Sequence, residues 1–219
     1  VAQAVRTAAD DERVRGLVLK IDALPGGWAS LQELRSALSA FREAGKSCVA
    51  YAENYSMGSY YLASACNSVQ MAPAGVGTVH GMMSSVTYYA GTLDMLDAEA
   101  QFEHVGDFKS GPEPYMRSEP SPEAAGAMEF LLDGLYGTAL SDIAESRRMT
   151  VDELQSVIDA APMTGDELIQ AGLVDALTFK PDVDAVKDAI IGVSVPNLTG
   201  GYATMMPNHH IAKPVLIGE

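Results

Sequence analysis

Apolar side chains along the chain fall into short unbroken runs separated by longer amphipathic stretches. The runs VRGLVLKID (14–22), SCVAYAE (47–53) and SVQMAP (68–73) have the length and continuity of buried strands. Between the first two, apolar residues at 31, 34, 38 and 41 repeat with the spacing of one helix face, and Gly45 stops the pattern. Residues 1–12 and 56–66 also read as helices, GVGTVHG (75–81) as a glycine-punctuated turn, 86–100 as a helix and QFEHVGDF (101–108) as a strand. Strands alternating with helices of this length imply βαβ units and a mainly parallel sheet, an α/β fold.

Beyond Lys109 the rhythm changes. Ser121-Pro122 places an N-cap before a proline at the first helical position, and a long helix is expected over 121–148. Thr150-x-x-Glu153 and Thr164-x-x-Glu167 are capping-box patterns that open two short helices. GLVDALTF (172–179) reads as a last strand. From Pro196 and Asn197 the chain is rich in Gly, Asn and Pro without periodicity, which reads as a linker. The expected division is a globular portion over 1–190 and a linker over 191–219.

Composition narrows the function. Fourteen basic against 29 acidic residues give a net charge of −15. That opposes nucleic-acid binding, which needs cations to displace phosphate counterions, and opposes docking on anionic lipid through this part. With 47% hydrophobic residues in 219, the chain suffices for one sizeable core. Cys48 and Cys66, one in an apolar strand and one closing a helix, are expected to be buried free thiols. No apolar run reaches the roughly 18 residues of a membrane span, and no signal peptide precedes the first strand. The chain opens in mid-pattern and closes on AKPVLIGE, which reads as the start of another strand, so both ends are expected to be cuts.

Candidate chemistry is sparse. His80, His104, His209 and His210 lack metal-ligand spacing, and no glycine fingerprint for a nucleotide is complete, so neither a metal nor a cofactor is expected. Two features remain. Gly26-Gly27, in a strand-to-helix turn, has the small-residue chemistry of an oxyanion site, and equally that of an ordinary tight turn. Lys109 sits between the expected strand and a Gly-Pro-x-Pro turn, where it is either a surface lysine or a positioned base. A lysine acts as general base only when neutral. Lowering its pKa from ~10.4 to ~7–8 costs on the order of 4 kcal/mol of burial or cationic neighbours.

The stretch YAENYSMGSYYLAS (51–64) followed by FKSGPEPY (108–115) resembles the signal peptide peptidase A (protease IV) family, and within it the N-terminal repeat of the long two-repeat form. The likeness runs from residue 1 to about 190. It implies a ClpP/crotonase-like fold of stacked ββα units with an outlying long helix, and a Ser/Lys dyad that degrades cleaved signal peptides. In the two-repeat form the N-terminal repeat gives the lysine and the C-terminal repeat the serine, so Lys109 falls on the general-base position. The serine-bearing S-G-G-Y stretch has no counterpart here. Matching its tyrosine to Tyr60 puts Met57 at the nucleophile position, and matching it to Tyr61 puts Gly58 there. Ser56 and Ser59 are the nearby serines, each out of register by about 100° per residue on a helix. The resemblance further implies peptide substrates and partnership with a C-terminal repeat or with further copies in a homo-oligomer. It also implies an N-terminal anchor in a bacterial or archaeal cell membrane, with the catalytic part on the outer side. A non-catalytic scaffold repeat and a self-sufficient peptidase using Ser59 or Ser56 stand as alternatives.

Overall fold

The computed structural model describes residues 1–24, 26–103 and 105–180, together with the backbone of three short strands at 194–196, 202–205 and 211–212. The chain divides into two compact units, Val1–His80 with Asp142–Glu219, and Gly81–Ser141.

The first unit opens with α1 (Ala2–Asp10), β1 (Gly16–Lys20), α2 (Trp28–Glu43) and β2 (Ser47–Ala52). β3 (Tyr55–Ser56), α3 (Met57–Ala63), β4 (Ser68–Met71) and β5 (Val76–Thr78) follow. The second unit holds α4 (Ala90–Met95), α5 (Glu113–Met116) and most of α6 (Pro122–Arg147), whose last turns belong to the first unit. The chain then adds α7 (Val151–Asp159), β6 (Met163–Thr164), α8 (Gly165–Gln170) and β7 (Ala176–Leu177). Last come β8 (Ser194–Pro196), β9 (Tyr202–Met205) and β10 (Ile211–Ala212), an antiparallel meander.

The main sheet has the order β1-β2-β4-β7, with every pairing parallel. The mixed α/β fold with a mainly parallel sheet is therefore the one that the strand–helix alternation predicts. β2 lies in the middle and is buried from Cys48 to Ala52, which is why its sequence is apolar without alternation. α2 covers the sheet with Leu31, Leu34, Leu38 and Phe41, the residues whose spacing forecast the helix. The second sheet, β3-β5-β6, pairs β3 with β5 in parallel and β5 with β6 antiparallel. α6, α7 and α8 match the expected helices. Ser121 Oγ accepts from the Ala124 N–H, and Thr150 and Thr164 form both capping boxes with Glu153 and Glu167.

Four local expectations are corrected. Cys48 and Cys66 are joined in a disulfide and are not free thiols. Their meeting is a tertiary event. The Cys48 N–H donates to Asn67 Oδ1 and the Asn67 N–H donates to Cys48 O, both at 2.8 Å, which lays the end of α3 against the start of β2. The expected turn over 75–81 is replaced by strand β5 from Val76 to Thr78, and Gly75 closes a turn from Ala72, its N–H donating to Ala72 O (2.9 Å). A Cβ on Gly75 would lie 1.9 Å from Glu53 O, so the glycine serves a close backbone approach. Residues 101–103 and 105–108 form no strand and end in a turn at Gly106–Lys109. The helix expected over 86–100 shortens to Ala90–Met95, and Asp97 at φ 53 leaves the helical region. The expected division near residue 190 lies outside the described residues, as do His104, His209 and His210.

Two arginines tie the helices of the first unit to its sheet. The Arg35 side chain, 7% exposed, donates from Nη1 to Tyr61 O and to Ser64 Oγ (2.8 Å). Its Nη2 donates to Asp142 O (2.6 Å) and Ser146 Oγ (2.7 Å). Arg147 forks onto Asp175, with Nη2 at 2.7 Å from Oδ1 and Nη1 at 3.1 Å from Oδ2, and also donates to Gly172 O. Asp175 Oδ2 accepts the Val69 N–H at 2.7 Å, so one carboxylate joins α6 to the edge of β4. Burial pushes the Asp175 carboxyl up, but the Arg147 guanidinium and the Val69 N–H outweigh it and hold the group below its ordinary range.

Arg35→Ala removes the buried cation that bridges α3 and the last turns of α6 and is expected to cost about 3 kcal/mol in urea unfolding, with Arg35→Lys rescuing less than half. The depressed Asp175 carboxyl contributes stability that is full above its ordinary pKa of 3.8 and is lost as pH falls through its lower folded value. Asp175→Asn is therefore expected to be about 1–2 kcal/mol less stable at neutral pH, a figure already reduced for partial exposure, and to lose less stability than the parent as pH falls below the ordinary value of 3.8.

Candidate active site

Two of the expected site elements meet in the first unit. β3 hands the chain directly to α3, with Ser56 as N-cap and Met57 as the first helical residue. A Cβ on Gly58 would lie 2.8 Å from Leu24 Cδ1 and 3.2 Å from Leu31 Cδ1. The first turn of α3 thus packs against the strand-to-helix turn that leads from Leu24 into α2. In that turn Gly26 takes φ +71, open to glycine at little cost, and Gly27 is the N-cap of α2 without a side-chain cap. Trp28 follows as the first residue of α2. Its ring lies 4.9 Å from that of Tyr61, and its buried Nε1 has no partner among the described residues.

α3 is held at both ends. Ser56 and Ser59 form a reciprocal capping box. The Ser56 N–H donates to Ser59 Oγ (2.8 Å), the Ser59 N–H to Ser56 Oγ (3.4 Å), and the Ser59 hydroxyl to Ser56 O (3.1 Å). Both hydroxyls are thereby engaged with the helix start, and Ser59 is 6% exposed. Three phenols fix the rest: Tyr55 donates to Gln70 O (2.8 Å), Tyr60 to Leu173 O (2.7 Å) and Tyr61 to Asp142 Oδ2 (2.7 Å). Burial pushes all three phenols upward, so they stay neutral donors.

Lys109 belongs to the second unit, where its side chain is exposed beside a hollow lined by Phe102, Glu103, Val105 and Pro112. Its backbone is framed by turns: the Lys109 N–H donates to Gly106 O (3.2 Å) and the Glu113 N–H to Ser110 O (3.0 Å). The motif after the lysine is structural. Glu113 accepts from the Ser121 N–H (2.9 Å) and from Ser121 Oγ (2.5 Å), clamping the N-cap of α6. Tyr115 stacks on Tyr89 and meets Phe102, at centroid distances of 5.8 and 5.9 Å. Glu113 and Tyr115 were not among the residues singled out from sequence, although both stand in the FKSGPEPY stretch. No group of three His, Cys, Asp or Glu among the described residues is arranged to hold a metal ion.

Residues 40–194 match the profile of peptidase family S49. The chain belongs to that family. Protease 4 of Salmonella typhi is 33% identical over 193 residues, which cover 84% of this chain and 31% of that protein. Protease 4 of Haemophilus influenzae is 30% identical over 201 residues, 88% of this chain and 33% of that protein. The chloroplastic serine protease SPPA of Arabidopsis thaliana is 26% identical over 186 residues, 85% of this chain and 28% of its own length. The chain thus spans about a third of the length of these curated relatives. Among solved structures, a mutant of the 1510-N membrane-bound stomatin-specific protease superposes with a TM-score of 0.49 at 11% identity, covering 94% of this chain and 84% of that one.

The S49 chain uses its α3 serines as caps. Ser56→Ala and Ser59→Ala are each expected to lower stability by about 1 kcal/mol in denaturant titration, the ordinary loss for a helix cap.

Proposed function

We propose that this S49 chain is the lysine-donating portion of a membrane-associated serine peptidase that degrades cleaved signal peptides. Lys109 is the general base, and the nucleophilic serine lies outside these residues. The observation that supports this most is the start of α3. The family resemblance puts Met57, or in the other register Gly58, at the nucleophile position; neither carries a hydroxyl, while Ser56 and Ser59 are bound to each other as a capping box.

In this reading a serine from a C-terminal repeat of the same protein, or from another copy, docks against the surface bearing Lys109. Docking excludes water from the lysine side chain, and a base in this role works as the neutral amine. The neutral amine takes the serine proton as Oγ attacks the peptide carbonyl, then returns it to the leaving amine. Backbone N–H groups of the Gly26-Gly27 turn are, on their own chemistry, the candidate oxyanion donors of the first unit. Large exposed apolar side chains in the second unit fit an interface: Phe130 is 83% exposed, Phe108 75% and Met95 88%. No described helix is long and apolar enough to cross a membrane. The N-terminal anchor and the outer-face placement of the catalytic part, in a bacterial or archaeal membrane, are taken from the family resemblance. A self-sufficient peptidase built on Ser59 or Ser56 would have to break the α3 cap to free either hydroxyl.

The isolated chain is expected to resist a serine-directed fluorophosphonate, and stoichiometric labelling at Ser59 or Ser56 would overturn the divided site. In the full-length protein, Lys109→Met is expected to lower kcat/KM by at least ~10²–10⁴-fold with unchanged folding, and Lys109→Arg to be nearly as inactive, because guanidinium stays protonated. A Lys109→Met enzyme with more than about a tenth of parental activity would exclude the lysine as base.

A further inference from the structure

The first unit carries a polar hollow of about 680 Å³ that the chemistry above does not use. Arg35, Arg42, Arg147 and Arg148 line it, four of the chain's eight arginines. A chain of net charge −15 thus gathers half of its guanidinium groups around one hollow. Cys66 is part of the same wall and carries one half of the disulfide to Cys48. Cys48 is fully buried in β2, at 0% exposure, against 3% for Cys66. The sulfur pair is therefore approached from the Cys66 side.

Two of the arginines are committed, Arg35 beside Asp142 and Arg147 to Asp175. The side chains of Arg42 and Arg148 make no hydrogen bond or ion pair with any described residue. Arg42 is half-buried and close to Arg35: burial holds the Arg35 pKa down, and the charge of Arg42 adds to that. Four acids also line the hollow. Asp142 and Asp175 are engaged by the two committed arginines and by Tyr61 and the Val69 N–H. Glu43 and Glu145 are exposed, where water and salt screen them more than the half-buried Arg42. Asn67, next to Cys66, accepts from the Cys48 N–H through Oδ1, which leaves its amide nitrogen as a further donor on the hollow.

We propose that this hollow is a thiol-exchange site, where a small anionic dithiol docks on Arg42 and Arg148 and opens the disulfide between Cys48 and Cys66. The guanidinium groups hold the carboxylate or sulfonate of the ligand, and their field favours its thiolate over its thiol. The thiolate sulfur bonds to Cys66 Sγ, the bond between Cys66 and Cys48 breaks, and its electron pair leaves on Cys48 Sγ, which takes up a proton. The ligand's second thiolate then attacks the ligand sulfur of that mixed disulfide and closes a cyclic disulfide. Cys66 leaves as a thiolate and is protonated, so the ligand is oxidised by two electrons and the cysteine pair reduced by two. Opening the bond removes the covalent tie between the exit of α3 and the central strand, while the hydrogen bonds of Asn67 and Arg35 remain. Lys109 has no part in this chemistry, and the proposal does not rest on the peptidase reading.

The test compares three dithiols on the folded 219-residue chain at equal thiolate concentration: anionic dimercaptopropanesulfonate, neutral dithiothreitol and cationic dithiobutylamine. Samples are quenched in acid, unfolded, capped with N-ethylmaleimide and read by intact mass, which counts the opened chains against time. At low salt the anionic dithiol should open the disulfide at least about tenfold faster than the cationic one, although the overall charge of −15 favours the reverse order. Salt at about 1 M should shrink that preference in the parent chain. The double variant Arg42→Glu/Arg148→Glu, with its thermal midpoint checked against the parent, should lose or invert it. A disulfide that opens only after unfolding overturns the proposal. So does a cationic dithiol that is equal or faster at low salt, a preference that salt leaves unchanged, or one that survives in a folded double variant.

Discussion

The first unit is organised around one buried cation. Arg35 lies on the covered face of α2, at the point where the C-terminal end of α3 and the last turns of α6 converge. Two helix C-termini brought together would crowd their unsatisfied carbonyls and the negative ends of their dipoles. The guanidinium offsets the negative dipole ends and donates to Tyr61 O, Ser64 Oγ, Asp142 O and Ser146 Oγ, and its Cζ lies 4.6 Å from the Tyr61 ring centroid. Burying a charge is costly, and it is tolerated because nearly every donor is used and the Asp142 carboxylate stands 3.6 Å from Nε. Burial pulls the Arg35 pKa down while Tyr61 and Asp142 oppose that shift.

The position of α3 follows from that anchorage. With its C-terminal end fixed by Arg35, its phenols tied to Leu173 O and Asp142 Oδ2, and its start capped by Ser56, the helix presents Met57 and Gly58 beside the turn that enters α2. The disulfide between Cys48 and Cys66 adds a covalent tie between the exit of α3 and the central strand. Any binding or catalytic constellation needs its groups held within fractions of an ångström, and elements fastened at several points supply that better than loops. The second unit is built differently. Glu113 and Tyr115 secure the start of α6 and an aromatic cluster, while Lys109 remains open to solvent.

Much of this fold was legible along the chain because its signals are local. The continuous apolar runs became β1, β2 and β4, and the helical spacing at 31, 34, 38 and 41 became the covered face of α2. The capping boxes at Thr150 and Thr164 formed as their four-residue patterns require. Misreadings arose where a local pattern has two uses. Gly75 both closes a turn and lies close against Glu53 O, Gly77 packs against Leu168 within a strand, and residues 101–103 and 105–108 found no partner strand among the described residues.

For the candidate site the division is similar. The sequence alone determined that the chain lacks a hydroxyl at residues 57 and 58, carries a lysine before a rigid Gly-Pro-x-Pro turn, and holds a family signature long enough to be recognised. Those are properties of neighbouring residues, so no folding is needed to read them. Only the tertiary structure decided that Ser56 and Ser59 are consumed as caps, that Cys48 meets Cys66, and that Arg35 is a buried hub. The Ser56–Ser59 cap is local, but the others join groups through space, with separations of up to 111 residues for Arg35 and Ser146. Spacing along a chain fixes which face of an element a side chain occupies, whereas its partner is set by how those faces pack.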